Sequence, residues 1–142
     1  MTRSIRAVLD TNVFVSAALS KNPSSPTREI IERWKKGEFV LLICTQLAEE
    51  IVEKLVDYRV DENLVTALVE RIANLADWVE ILPEEIENLL SDPDDNIILA
   101  CAVKGGANYL VTYDPHFDSL NGEYRGIRIL KAIPFLEILR KE

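Results

Sequence analysis

Short apolar runs of strand length alternate along this chain with stretches of helical periodicity, and that alternation leaves few folds open. Residues 5–9, 39–44, 78–82, 109–112 and 127–130 read as strands, mostly apolar and expected to be buried on both faces. Between them lie amphipathic segments with start and stop signals. Ser25 and Pro26 open one whose apolar face is Ile30, Ile31 and Trp34, and Gly37 stops it. Thr45 reads as the cap of a helix with a stripe of Leu47, Ile51, Val52 and Leu55. Asp61 caps another with Leu64, Leu68, Ile72 and Leu75, and these two helices are expected to form a hairpin. Asp92-Pro93-Asp94-Asp95 opens a helix through Val103 that Gly105-Gly106 ends. Residues 13–19 read as a loop or first helix, and Pro134 begins a short last one. The prediction is an α/β protein: a three-layer α/β/α sandwich around a mostly parallel sheet, one domain over residues 1–142.

In such a sheet, ligands bind beyond the carboxyl ends of the strands. Asp10 follows the first strand at once. Glu50 lies in the second turn of the helix after the second strand, Asp95 in the first turn of a later helix, and Asp114 just after the strand at 109–112. All four carboxylates are therefore expected at one edge. Like charges there raise one another's pKa unless a cation intervenes. Oxygen donors with few nitrogen or sulfur partners select Mg²⁺ or Mn²⁺ over zinc, and one or two such ions support hydrolysis of a phosphodiester.

At these residues the chain resembles a known family. Leu9-Asp10-Thr11-Asn12-Val13 is similar to the opening motif of PIN-domain ribonucleases. The similarity continues through residues 45–51, then Asp92-Pro93-Asp94-Asp95-Asn96 with the apolar run to Ala102, and Leu110-Val111-Thr112-Tyr113-Asp114. The ordered set spans most of the chain and most resembles prokaryotic toxins of toxin–antitoxin systems, of the VapC type. The resemblance implies an endoribonuclease that uses Mg²⁺ or Mn²⁺ and leaves 5′-phosphate and 3′-hydroxyl ends. By position, Asp10, Glu50, Asp95 and Asp114 match the family's acidic quartet as catalytic groups and metal ligands. Asp92 is a neighbour placed to bind through water, Asn12 and Thr112 fit orienting roles, and Asp118 is an extra acid. RNA as substrate, an antitoxin protein as partner and a homodimer follow from the same resemblance.

Each residue also has a plainer reading. Asp92 to Asp95 make a good helix start without chemistry. Glu50 could pair with Lys54 on a solvated face, and Glu49 competes for its role, although Glu50 lies nearer the buried stripe. Asp114 before Pro115 could be a turn residue, and His116, the one histidine, a surface loop residue. Cys44 and Cys101 lie in apolar runs with no CxxC and read as small buried hydrophobes. Two readings compete for the whole chain: a Mg²⁺-binding phospho-receiver-like signalling domain and a catalytically silent PIN-like binding module. The first lacks an Asp after the strand at 39–44.

The longest uncharged runs are ten residues, half of a membrane span, and no secretory signal is recognised, so a cytoplasmic protein is expected. A net charge of −8 excludes a nonspecific basic binder of nucleic acid. That charge lies wholly in residues 77–95, which hold eight acids and no Lys or Arg. Outside it, Arg28, Arg33, Lys35, Lys36, Arg125, Arg128 and Lys131 are candidates to touch phosphates.

Overall fold

A computed structural model describes residues 4–141. Strand β1 (Arg6–Leu9) runs straight into helix α1 (Thr11–Leu19), and α2 (Pro26–Lys35) leads to β2 (Val40–Ile43). The hairpin α3 (Thr45–Asp57) and α4 (Glu62–Leu75) is followed by β3 (Asp77–Trp78). Helix α5 (Pro93–Lys104), β4 (Tyr109–Val111), the two-residue β5 (Glu123–Tyr124), β6 (Ile127–Leu130) and α6 (Ala132–Lys141) complete the chain. The sheet order is β3-β2-β1-β4-β6-β5, parallel except for β5. Val8 stands beside Leu42 on one flank and Leu110 on the other. Helices α1, α2 and α3 pack together, α6 packs on α2 and β4, and α5 lies on β1 and β2. This is the three-layer arrangement that the alternation predicts.

The central strands β1, β2 and β4 are buried on both faces because helices cover both, with Ala7, Val8, Leu9, Leu42, Ile43 and Leu110 fully buried. The expectation fails towards the edges, where Asp77 and Trp78 of β3 and Arg128 of β6 are exposed. Gly106 ends α5 with φ +69°, a conformation glycine adopts without strain. A Cβ on Gly105 would stand 3.0 Å from Leu42 Cδ1 and Val79 Cγ2, so the helix end presses on the sheet.

Several local expectations need correction. Residues 13–19 take the helical of their two readings, within an α1 that starts earlier, at Thr11, with Asp10 as its cap. The cap of α3 is Cys44, not Thr45, because the extended strand backbone persists one residue less than the polar side chain suggests. Asp61 does cap α4, accepting from Asn63 N at 2.8 Å, but the buried residues are Val65 and Ile72, while Leu64 and Leu75 are exposed. Among the described residues α4 packs chiefly on α3, so a narrow face is enough. The strand at 78–82 shrinks to Asp77–Trp78, since Leu82 and Pro83 turn into a 3₁₀ segment. The last helix starts at Ala132 and carries Pro134 in its first turn, where no backbone N–H is needed. Strand β5, joined to β6 by Arg125 and Gly126 at positive φ, is too short for periodicity to register.

Candidate metal centre

The strand order reverses between β1 and β4: β2 and β3 lie on one side, β6 on the other. Connections leave this point in opposite directions and open a crevice at the carboxyl ends. Asp10 closes β1 there. Its N–H donates to Val111 O at 2.9 Å, and it is 3% exposed. One carboxylate oxygen accepts from Thr11 N at 2.7 Å and the other from the Thr112 hydroxyl at 2.6 Å. That hydroxyl in turn accepts from Asp114 N at 3.0 Å, so Thr112 ties the ends of β1 and β4 together. Burial pushes the Asp10 carboxyl above its ordinary range; the two threonine bonds oppose the rise, and Asp114 and Asp92 add to it.

Helix α5 presents its amino end to the same crevice. Asp92 caps it, accepting from Asp94 N at 2.9 Å, with Pro93 next. Asp95, 4% exposed, has its carboxyl raised to about 7 by burial. The His116 bond opposes that rise, while Asp114, Asp92 and Asp10 reinforce it. His116 Nδ1 lies 2.9 Å from Asp95 Oδ2 and 3.1 Å from Asp114 Oδ1, and the Asp95 bond raises the imidazole pKa. Glu50 enters from α3, half-buried, its carboxyl raised by burial and then by Asp10. The Thr11 hydroxyl lies beside Glu50 and counters that rise, yet it is buried with no partner in hydrogen-bond geometry.

The four predicted carboxylates thus share one edge and one electrostatic field. They do not collapse onto one point. Among the described residues, the group whose ligand atoms lie within 4.8 Å of one another is Asp92, Asp95 and His116; no three of the predicted four make such a group. His116 takes the space between Asp95 and Asp114. Glu49 is exposed, while Glu50 faces Asp10; no ion pair joins Glu50 to Lys54 among the described residues. Asn12 is exposed and its side chain makes no hydrogen bond among the described residues. Asp118, on the 3₁₀ segment Pro115–Leu120, is exposed.

Sequence reasoning set aside His116. The signal was its spacing: Asp114 caps a turn by accepting from His116 N at 2.9 Å, and this turn folds the ring back over the acids. Asn96 was also passed over. It is buried, accepts from Leu89 N and Leu90 N and donates to Leu90 O, holding the incoming loop against α5. Cys44 and Cys101 are fully buried, free and in mutual contact. Of the basic candidates, Arg33 is engaged by Glu29 and Glu38, Lys35 by Glu32 and Arg125 by Glu87, and Arg128 lies over the Tyr109 ring.

The donors fit a hard divalent cation. They are carboxylate oxygens with a single imidazole, two of the acids are buried with pKa raised by burial and by neighbouring acids, and a threonine hydroxyl is orphaned beside them.

Against known proteins, a family model described as PIN domain matches residues 6–116. No match to a curated protein sequence was found. The chain is similar in fold to PAE2754 from Pyrobaculum aerophilum, with TM-score 0.67, 16% identity, and 97% of this chain and 91% of that one covered. It is also similar to the structure of VapBC2 from Rickettsia felis bound to a DNA fragment from their promoter, with TM-score 0.59, 14% identity and coverage of 88% and 97%.

Proposed function

The chain belongs to the PIN domain family, and from that premise we propose that it is an endoribonuclease dependent on Mg²⁺ or Mn²⁺, the toxin of a toxin–antitoxin pair. The observation that carries this reading is the gathering of Asp10, Glu50, Asp92, Asp95, Asp114 and His116 at the point where the strand order reverses. In this reading Asp10, Glu50, Asp95 and Asp114 would hold the ion, with Asp92 and His116 as further donors. Bound there, a divalent ion supplies a water of lowered pKa as nucleophile and neutralises charge on the phosphate.

The chain's own groups do the rest. Thr112 fixes the Asp10 carboxylate through its 2.6 Å bond. Asp92 spends one oxygen on its helix cap and leaves the other to the crevice. His116 Nδ1, within hydrogen-bond distance of Asp95 Oδ2 and Asp114 Oδ1, bridges these two acids and would compete with a cation for their oxygens. Residues 1–142 act as one cytoplasmic domain in this reading. No helix among the described residues is long and apolar enough to cross a membrane. An antitoxin partner follows from the likeness to the VapBC2 structure. A homodimer accounts for the exposed Val56, Tyr58, Leu64 and Val69 on the helical hairpin.

The test is incubation of end-labelled single-stranded RNA with the protein and Mn²⁺ or Mg²⁺. Cleavage to 5′-phosphate and 3′-hydroxyl ends, abolished by EDTA, is expected. Unchanged cleavage by Asp10→Asn would reject the metal centre, and RNA that is bound but stays whole with either ion would favour a silent binding module.

A further inference from the structure

A cleft of about 160 Å³ adjoins the acid cluster, sharing Thr112 and Asp114 with it. Apolar Phe117, Ile129 and Leu130 line it together with Tyr113, Asp118 and Lys131. Lys131 follows β6, whose Leu130 pairs with Val111, so its position at the sheet edge is set by the same ladder that places Asp114. Most basic side chains near the acidic stretch are already paired; Lys131 has no ion-pair or hydrogen-bond partner among the described residues. Tyr113 is 40% exposed, and its hydroxyl makes no hydrogen bond among the described residues. Asp118 is exposed and unpaired there too.

These groups discriminate among ligands. A bare anion would meet Lys131 but also two carboxylates, and a bare cation would meet Lys131 as an obstacle. A ligand that carries a planar ring, a phosphate and a hydroxyl donor matches Tyr113, Lys131 and Asp118 together. Aromatic faces stack on any base, lysine neutralises phosphate, and a carboxylate accepts from a ribose hydroxyl, the group that separates RNA from DNA.

Resting on the ribonuclease reading above, we infer that this cleft seats the nucleotide next to the scissile phosphate: its base on Tyr113, its phosphate on Lys131, and its ribose 2′-hydroxyl donating to Asp118. The cleft thereby fixes which bond of a single strand reaches the acids. It also confers preference for RNA.

The test measures fluorescence anisotropy of a labelled mixed-sequence RNA oligonucleotide and its deoxy counterpart, with Mn²⁺, on the Asp10→Asn background so that the RNA stays whole. Circular dichroism melting of each variant checks folding. Tyr113→Ala is expected to weaken binding of both strands roughly fivefold to a hundredfold, with Tyr113→Phe restoring it. Lys131→Ala should flatten the log–log salt dependence by about 0.7, the share of one phosphate contact on a single strand. Asp118→Ala should lower the preference for RNA over DNA roughly fivefold to tenfold while leaving DNA binding in place. Folded variants that match the parent on all three readouts, while the wild type cleaves RNA, would overturn this inference alone. RNA neither bound nor cleaved by the wild type would overturn the ribonuclease reading and this inference with it.

Discussion

Carboxylates at two places in this molecule stand in opposite states. Where α2 meets α6, Glu29 accepts from Arg140 Nη2 at 2.7 Å and Nε at 3.1 Å, and from Arg33 Nε at 2.9 Å; these bonds hold its carboxyl at about 2. At the sheet edge, Asp10 and Asp95 are more deeply buried, face other acids, and have raised pKa values. An acid with cations built around it joins two helices. Acids held together with one imidazole among them are kept at a cost to the fold, and such cost is found where a ligand or reaction needs the groups.

That contrast can be broken by experiment. The largest effect is expected from Asp10→Asn, which should reduce RNA cleavage about 10²–10³-fold, as loss of a group on which transition-state charge depends does elsewhere. Glu29→Gln should leave the rate alone. Next, Mn²⁺ at about a hundred times its dissociation constant should raise stability by about 2.7 kcal/mol, measured by melting. Asp95→Asn should lose most of that gain. Thr112→Val keeps the shape but frees Asp10 from its 2.6 Å bond, and should cost about 10–100-fold in metal affinity or rate.

The pH dependence separates the two places by sign. Asp95 has a folded pKa of about 7 against an ordinary 3.8, so its contribution is complete below 3.8 and is lost as pH rises through 7. In EDTA, Asp95→Asn should therefore melt higher than the wild type near neutral pH, and the gap should close towards pH 4. Glu29 behaves in the reverse way. Its contribution is present above 4.5 and disappears as pH falls towards 2. Exposure limits it, so Glu29→Gln should cost only about 0.5–1 kcal/mol at neutral pH and nothing in strong acid. A wild type no less stable than Asp95→Asn in EDTA at pH 7 would erase the contrast.

Much of this was legible beforehand because it rests on local chemistry. Pro26 and Pro93 open helices where a missing N–H costs nothing, Asp61 and Asp92 cap through their own side chains, and Gly106 turns where φ is positive. The plain reading of Asp92 as a cap and the reading of it as a site acid turned out to be compatible, since a carboxylate has two oxygens. What the residues could not disclose depended on partners distant in the chain. Leu64 and Val65 are equally apolar, and which one faces inward depends on how α4 leans on α3. Arg33 looked free until Glu29 and Glu38 were seen to surround it. His116 looked peripheral until its ring was seen to reach Asp95, 21 residues away.

By itself the sequence determined the alternation of strand and helix, the burial of the central strands on both faces, and the placement of Asp10 and Asp114 just past strand ends, because apolar runs and caps act over a few residues. Only the tertiary structure decided which acids share a field. Thr112 and Asp10 are 102 residues apart in the chain and 2.6 Å apart in space. Electrostatic coupling and hydrogen bonding fall off over a few ångströms, so they exist only once β1 and β4 lie side by side.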